Sequence, residues 1–400
     1  MATLQSTSTA ADPDEVITEI EQAEGYIASI CFKTGPPETV GVELEYTVHD
    51  RNNPATPVDR ERLCQALGDH APETLRGDSP ALPLRHGSAV TLEPGGQVEL
   101  SSRPHPSLID LHTAVNAELD QLGALLDRAG LRLGDTGVDP YRPPRRLLNT
   151  PRYDAMAAAF ARRGVSGKIM MCSTAGLQVC LDAGPPEELA ARWAAVNELG
   201  PPLMALFANS HRFAGRDTGW ASGRQRAWRG IDPSRTRQVR TDSDPSGAWA
   251  RYALDATLLC VRRNDGSWEA PPGVRFADWI RGRLPQRPTY ADLDYHLSTL
   301  FPPVRPRGYL EIRYLDTQPG RSWFAPAALL GALLADAATV DRARDLCAPA
   351  RGKWVEAARE GLADPVLAKV ATALRELAIS RLDLPPHLLD EVIEGSSRNG

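Results

Sequence analysis

The stretch VGVELEYTV at residues 40–48 alternates apolar and polar side chains without a break. Its apolar residues share one parity, and Glu43, Glu45 and Thr47 share the other. Side chains of a β-strand point alternately to its two faces. The stretch therefore predicts a strand that is buried on one face and carries two carboxylates on the other.

Three more stretches repeat this design: TLEPGGQVELS at 91–101, LQVCLD at 177–182 and YLEIRY at 309–314. The first contains a Pro-Gly-Gly turn, which predicts two short strands joined as a hairpin. The polar parity of the three stretches carries Glu99, Gln178, Glu311 and Arg313. Strands with an apolar back and a polar front predict an antiparallel sheet in an α+β protein.

The polar face of this predicted sheet is unusually acidic, since β-strands are poor hosts for glutamate. Carboxylates that are gathered on one surface repel one another, and a cation normally offsets that cost. Hard divalent ions such as Mg²⁺ take oxygen ligands, commonly carboxylates together with phosphate oxygens. The pattern is also typical of a solvent-exposed sheet face, and periodicity does not distinguish a metal–phosphate site from such a face.

The composition describes a soluble globular protein of 400 residues, with 42% apolar and 24% charged residues and a net charge of −6. An acidic balance argues against a general nucleic-acid binder. The N-terminus lacks a secretory pattern, and the apolar run 323–340 is interrupted by Pro326, Gly331 and Asp336, which favours a buried helix over a membrane span. Six cysteines without CxxC spacing disfavour zinc and a disulfide framework and suit the reducing cytoplasm.

We predict a flexible tail over residues 1–11 and one domain over 12–395, which is almost wholly helical from about residue 321. Capping residues and apolar spacing predict the individual helices. The predicted helices are 12–31, 106–129, 186–208 with a break at Gly200, 247–261, 324–346, 349–362 and 365–381.

An arginine-rich loop surrounds Trp228 between residues 223 and 235. Arginine binds carboxylates and phosphates through paired N–H groups, so the loop could hold an anionic ligand. An exposed basic loop would have the same composition. The sequence contains no GxxxxGK[ST] and no strand-linked GxGxxG, so a bound nucleotide would not use a Walker or Rossmann frame.

The ordered motifs together resemble the glutamate–cysteine ligases of the plant and proteobacterial type. Within that family the chain looks most similar to the actinobacterial members, which supply γ-glutamylcysteine for ergothioneine synthesis. The matches run in order from about residue 35 to 320. They are GVELEY (41–46), LEPGGQVELSS (92–102), STAGLQVCLD (173–182), ALFANS (205–210), WRGIDPSRT (228–236) and LSTLFPPVRPRGYLEIRYLD (297–316).

This resemblance implies a glutamine synthetase-like catalytic fold, in which a curved antiparallel sheet forms a funnel with helices packed behind it. It also implies that ATP phosphorylates the γ-carboxylate of L-glutamate and that the amine of L-cysteine displaces the phosphate. Metal ions on the phosphates would neutralise the charge that develops during the transfer.

The resemblance assigns roles residue by residue. Implied Mg²⁺ ligands are Glu43, Glu45, Glu93, Glu99, Gln178 and Glu311. Arg313 and Glu311 are the implied catalytic residues, and Arg313 and Gln178 would contact ATP phosphates. Implied substrate-binding residues are Ser173, Thr174, Arg224, Trp228 and Arg235.

Two other functions stay open from the sequence. Cys180 lies on the polar face where relatives tend to have asparagine, so a ligase of the same fold could use a different amine. A non-catalytic protein that binds Mg²⁺-nucleotide is the other alternative. The expected partners are L-glutamate, L-cysteine and ATP in the cytoplasm, without nucleic acid, membrane or a cysteine redox switch, and the sequence does not predict the oligomeric state.

Overall fold

Six strands form one antiparallel sheet in the computed structural model, which describes residues 12–241 and 243–397. In chain order they are β1 (Val40–Tyr46), β3 (Ala89–Leu92), β4 (Val98–Ser101), β6 (Gly176–Leu181), β9 (Val304–Pro306) and β10 (Leu310–Asp316). Their order across the sheet is β3-β4-β1-β6-β10-β9. The remaining strands form two small pairs, β2 (Val48–Asp50) with β5 (Leu131–Leu133), and β7 (Arg212–Phe213) with β8 (Arg216–Asp217). The predicted strands are therefore neighbours in a single sheet.

The strand register brings the polar residues of different strands together. Glu45 lies opposite Glu99, and Glu43 lies opposite Gln178. Directly opposed residues of an antiparallel pair share a face. A one-residue bulge interrupts β10 between Ile312 and Leu315, where the register against β6 shifts. Bulges re-aim side chains, and this one lies at Arg313.

The opposite face of the sheet is apolar and faces the main core. Val42, Leu44, Val98 and Val179 on this face are at most 2% exposed. They belong to one hydrophobic cluster that extends from Ile17 to Val392. Burying this face against helices provides the main driving force for the fold.

Seventeen α-helices surround the sheet in the described part of the chain. They are α1 (Ile20–Cys31), α2 (Arg60–Leu67), α3 (Leu108–Arg128), α4 (Pro151–Ala161), α5 (Ser166–Ser173), α6 (Leu189–Glu198), α7 (Gly200–Leu206), α8 (Gly223–Arg229), α9 (Pro233–Thr236), α10 (Pro245–Asp255), α11 (Phe276–Ile280), α12 (Tyr290–Leu297), α13 (Phe324–Leu333), α14 (Ala337–Cys347), α15 (Trp354–Glu360), α16 (Pro365–Ile379) and α17 (Pro386–Gly395). Four single-turn 3₁₀ helices are Gly68–His70, Gly320–Trp323, Ala348–Ala350 and Gly361–Ala363. Helices α3, α7 and α13 pack against strands of the sheet.

The α+β class and the helical C-terminal part are confirmed, but four predicted helices have clearly different bounds. The helix predicted over 247–261 spans Pro245–Asp255. The helix predicted from residue 12 begins at Ile20, because Glu19 and Gln22 form a capping box there. The helix predicted over 324–346 is two helices, since Asp336 caps α14 by accepting a hydrogen bond from the Thr339 backbone N–H. The helix predicted over 349–362 is reduced to α15. The predicted tail lies outside the described residues, and the one-domain division stays a prediction.

The apolar run 323–340 enters the core as α13, whose apolar residues are buried. Within the described ranges, no single helix is both long and apolar enough to cross a membrane. The consecutive stretches Gly320–Leu333 and Ala337–Ala350 meet those criteria only together, and they are bent by 110°.

Candidate active site

A cleft of about 220 Å³ lies over the polar face of the sheet. Its floor comes from β1, β4, β6 and β10, and residues of α4, α5 and α8 form the opposite wall. The charged residues that line it are Glu43, Glu45, Glu93, Glu99, Arg152, Arg305, Arg307 and Arg313. The cleft therefore combines carboxylates with guanidinium groups, an arrangement suited to anionic ligands that carry a cation.

Three carboxylates converge at one end of the cleft. Oxygens of Glu45, Glu93 and Glu99 all lie within 4.8 Å of one another. Glu45 and Glu99 meet through the β1–β4 register, and the Pro-Gly-Gly turn brings Glu93 to them. That turn passes so close to α5 that a Cβ at Gly95 would lie 2.3 Å from the Cys172 carbonyl oxygen. We call Glu45, Glu93 and Glu99 the acidic triad.

The acidic triad is electrostatically costly without a cation. Burial and the neighbouring carboxylates raise the pKa of Glu93 to about 8. Burial also raises the pKa of Glu45 to about 7, against the opposing charge of Arg224. Clustered hard oxygen donors match the ligand preference of Mg²⁺, and a divalent cation would remove the repulsion between them. The triad therefore fits the metal that the sequence implied.

Hydrogen bonds link the acidic triad to Arg313. Glu45 accepts hydrogen bonds from the Gly176 backbone N–H at 2.6 Å and from the Gln178 amide at 2.7 Å. The Oε1 atom of Gln178 accepts one from Arg313 at 2.6 Å. Because both ends of the Gln178 side chain are engaged, it orients a carboxylate on one side and a guanidinium on the other. The structure thus places Gln178 between these charged groups and outside the acidic triad.

Glu311 contacts two arginines and is not part of the acidic triad. It accepts hydrogen bonds from Arg305 at 2.5 and 2.9 Å and from Arg313 at 2.5 Å. Burial raises the pKa of Glu311, but the two arginines outweigh it and lower the pKa to about 2. Both carboxylate oxygens are occupied in this arrangement. In this structure Glu311 anchors two arginines, and the metal-ligand role that the resemblance implied stays a prediction.

Glu43 lies on the same face, between the acidic triad and Glu311. It lines the main cleft and also a neighbouring pocket of about 290 Å³ that contains Cys180. Burial and the charges of Glu311 and Glu99 raise the pKa of Glu43 to about 8. Glu43 therefore lies on the floor of the cleft, and its implied role as a metal ligand stays a prediction.

The arginine-rich loop folds into α8 and α9 and places Arg224 beside the cleft. Arg224 is 1% exposed and donates one hydrogen bond of 3.0 Å to the Arg313 carbonyl. Its Nε and Nη1 atoms, and Nε1 of Trp228, are buried without a hydrogen-bond partner among the described residues. The guanidinium of Arg224 lies 5.7 Å from the centre of the Trp228 ring. Unpaired buried donors are costly, so these N–H groups indicate a site for an acceptor ligand.

Arg235 does not reach the cleft, contrary to the role that the resemblance implied. It is 0% exposed, and it donates hydrogen bonds to Asp232 and to the carbonyls of Thr257 and Thr299. With its guanidinium engaged on all sides, Arg235 joins three loops and has no donor left for a substrate. Its role is structural.

The two residues predicted from the STAG motif are placed differently from each other. Thr174 lines the cleft, but its hydroxyl donates to the Met170 carbonyl at 2.6 Å and its own carbonyl accepts from Gln97 at 2.8 Å. Ser173 is buried, and its carbonyl accepts a hydrogen bond from the Asp139 backbone N–H at 2.8 Å. Thr174 therefore shapes the cleft wall, whereas Ser173 is not among the residues that line it.

Three arginines of the cleft were not predicted. Arg152 on α4 donates two 3.0 Å hydrogen bonds to Ser298 across the cleft. Arg305 and Arg307 come from the β9–β10 hairpin, where Arg305 lies opposite Glu311. The VRPRGYLE segment (304–311) offered a signal for these two, because a glycine turn before a strand brings the residues on either side of the turn together. The sequence carries no comparable signal for Arg152.

The raised pKa values predict a pH dependence of stability without metal. Glu43, Glu45 and Glu93 hold protons in the folded state that the unfolded chain has released by about pH 6.5. Raising the pH from 6.5 to 8.5 in EDTA removes these protons and should lower the free energy of unfolding. Urea titrations at several pH values measure it. Glu93→Gln should show a shallower decline, and equal slopes for both proteins would contradict the assignment.

The fold and the cleft define a class of α+β protein whose antiparallel sheet presents a cluster of carboxylates next to a group of arginines. By comparison with known proteins, this chain belongs to the glutamate–cysteine ligase family 2 (GCS2), whose family model matches residues 39–387.

Individual relatives agree with this family. The glutamate–cysteine ligase EgtA of Mycolicibacterium smegmatis is 40% identical over 375 residues, covering 91% of this chain and 85% of the relative. The chloroplastic glutamate–cysteine ligase of Arabidopsis thaliana is 31% identical over 361 residues, covering 86% and 68%. The crystal structure of a glutamate–cysteine ligase from Francisella tularensis in complex with AMP has a TM-score of 0.53 at 14% identity, covering 92% of this chain and 83% of that one. This last likeness shows a shared fold.

Proposed function

We propose that the protein joins the γ-carboxylate of L-glutamate to the amine of L-cysteine at the expense of ATP, giving γ-glutamylcysteine, ADP and phosphate. The observation that carries this proposal is the cleft, where the acidic triad lies beside Arg313, together with the adjoining pocket that Arg313 also lines and that contains Arg224 and Trp228 with their unpaired N–H donors. Membership of the ligase family and the names of the relatives support it. We further propose that the reaction takes place in the cytoplasm and supplies ergothioneine synthesis.

The chemistry requires two steps. An oxygen of the γ-carboxylate attacks the γ-phosphorus of ATP, ADP leaves, and a γ-glutamyl phosphate forms. The cysteine amine then attacks the acyl carbon, phosphate leaves, and the amine loses a proton. Activation is needed because a carboxylate is a poor acyl donor, whereas phosphate is a good leaving group.

The residues of the cleft divide this work. Mg²⁺, held by the acidic triad and by Glu43, would neutralise phosphate charge. Arg313 is oriented by Gln178 and Glu311, so its guanidinium is preorganised to stabilise charge on the transferring phosphoryl group. Arg307 has an exposed side chain at the rim of the cleft and could meet the outer phosphates. Arg224 and Trp228 would bind the α-carboxylate of glutamate.

ADP release by the purified protein tests the proposal, with Mg²⁺-ATP and L-glutamate as substrates. Release that depends on L-cysteine and is lost in EDTA is the expected result. Faster release with another amino acid would show that this amino acid, and not cysteine, is the acceptor. The proposed fold and chemistry would be unaffected. Absence of release with any amine would leave a nucleotide-binding protein without ligase activity and overturn the proposal.

The two arginines of the loop should behave differently when they are truncated. Removing the buried cation at Arg224 should raise the KM for glutamate at least about thirtyfold, with little change in the KM for ATP. Arg235→Ala should instead lower the melting temperature sharply, because the partly buried Asp232 would lose its cation and the carbonyls of Thr257 and Thr299 would lose their donor. Arg226→Ala is the matched control, since Arg226 is exposed on the same helix and does not line the cleft. Equal changes in both KM values for Arg224→Ala would mean that this arginine binds the nucleotide or only supports the fold.

A further inference from the structure

Asp316, the last residue of β10, is a buried carboxylate that forms no salt bridge with any residue the structure describes and that lies outside the cleft lining. It is 2% exposed. It accepts hydrogen bonds from the Ser210 hydroxyl at 2.6 Å, the Ser222 hydroxyl at 2.9 Å and the Asn209 backbone N–H at 2.9 Å. Its direct partners are neutral donors, and the Arg224 guanidinium offsets its charge without contacting it in a salt bridge within the described residues. A buried carboxylate is expensive, so its position calls for an explanation beyond packing.

The two hydroxyls connect Asp316 to the first turn of α8. Ser222 is the N-cap of this helix, and its Oγ accepts a hydrogen bond from the Gln225 N–H at 3.1 Å. The Oγ of Ser210 accepts one from the Arg224 N–H, also at 3.1 Å. Each hydroxyl has a single proton, which it donates to Asp316, so its lone pairs face the helix. The carboxylate of Asp316 therefore orients both hydroxyl groups, so that their oxygens accept the backbone N–H groups of the first turn of α8.

The position of the helix determines where the Arg224 guanidinium lies. This group passes over Gly176, where a Cβ atom would lie 2.3 Å from its Nη2 atom. Nη2 then donates to the Arg313 carbonyl, and the Gln225 side chain donates to the Tyr314 carbonyl at 3.1 Å. All of these anchors belong to β6 or β10. Helix α8 is thus attached to the sheet along the strand that also carries Asp316.

We propose that Asp316 is a positioning residue for substrate binding. Through Ser210 and Ser222 it orients the first turn of α8, so that the free N–H groups of Arg224 and Trp228 face the α-carboxylate of the substrate. This inference rests on the proposed function, in which those donors bind glutamate. Asp316 touches neither substrate, and it acts through the helix.

The test compares Asp316→Asn and Ser222→Ala with the wild type. An amide nitrogen cannot accept a hydrogen bond, so Asp316→Asn leaves at least one of its three donors unpaired. Both variants should raise the KM for L-glutamate roughly tenfold or more, with the KM for ATP unchanged. Ser107→Ala is the matched control, because Ser107 caps α3 in the same way outside the cleft lining. It should lower the melting temperature without changing either KM.

A double-mutant cycle separates positioning from general stability. In an Arg224→Ala background, Asp316→Asn should raise the glutamate KM by a clearly smaller factor than in the wild type, since only the Trp228 N–H is left to be positioned. An additive increase, or an equal rise in the KM for ATP, would overturn the proposal. Should Asp316→Asn fail to fold, Ser210→Ala and Ser222→Ala carry the same cycle.

A direct measurement of glutamate binding separates a failure of this inference from a failure of the proposed function. Calorimetric titration of L-glutamate should show weaker binding to Ser222→Ala than to the wild type. An active wild type with unchanged glutamate binding in the variants would reject the positioning role alone. A wild type that neither binds nor consumes glutamate would reject the proposed function and the inference together.

Discussion

Glu93→Gln should lower kcat by about 10²–10³-fold while the fold is retained. Glu93 has no side-chain hydrogen bond within the described residues, so an isosteric amide removes its charge without leaving a protein donor unpaired. The same exchange at Glu45 is less selective, because both oxygens of Glu45 accept N–H groups. The neutral amide is a weaker metal ligand, and the phosphates would lose part of their charge neutralisation.

Mn²⁺ or Mg²⁺ binding provides the independent measurement for Glu93→Gln. Calorimetry should show a clear loss of affinity in parallel with the loss of kcat. Glu73→Gln is the control, since Glu73 is exposed and outside the cleft lining. If the variant keeps both its metal affinity and its turnover, Glu93 is not a metal ligand.

Arg313→Ala should lower kcat by about 10²–10³-fold, with smaller changes in both KM values. Its guanidinium is held by Gln178 and Glu311 before any ligand binds, so it can stabilise transition-state charge without reorganising. Arg313→Lys keeps the charge but not the forked geometry and should recover only part of the rate.

The control for Arg313→Ala must account for Glu311, which would keep Arg305 as its remaining partner. Melting temperatures should therefore fall only moderately. Arg321→Ala truncates an exposed arginine paired with Asp120 and should leave kcat unchanged. A large KM effect with normal kcat would mean that Arg313 binds the ground state and not the transition state.

The sheet could be predicted from the sequence because strands encode their two faces with a period of two residues. Glu43, Glu45 and Glu99 follow directly from that parity and from the register. The opposite wall of the cleft was missed. Helix α5 buries residues on consecutive positions 170–173, so its sequence shows no single apolar stripe.

Periodicity also cannot distinguish residues of equal chemistry in one loop. Arg224 and Arg235 look alike in the sequence, yet one has free donors beside the cleft and the other is saturated by loop carbonyls. The same limit applies to Glu311, whose partner Arg305 is recognisable only once the hairpin register is known. Charge pairing of this kind depends on which residues become neighbours in the folded protein, and a local sequence pattern does not show that.

The order of strands in the sheet has a consequence for biosynthesis. Strand β6 has one partner, β1, from early in the chain, whereas its other partner, β10, begins only at Leu310. The 128 residues between the end of β6 at Leu181 and the start of β10 take a ribosome about 6 to 26 s to add. During this interval the open edge of β6 can pair with other molecules. Nascent chains that stall before β10 should consequently be aggregation-prone and should be the main clients of chaperones during expression.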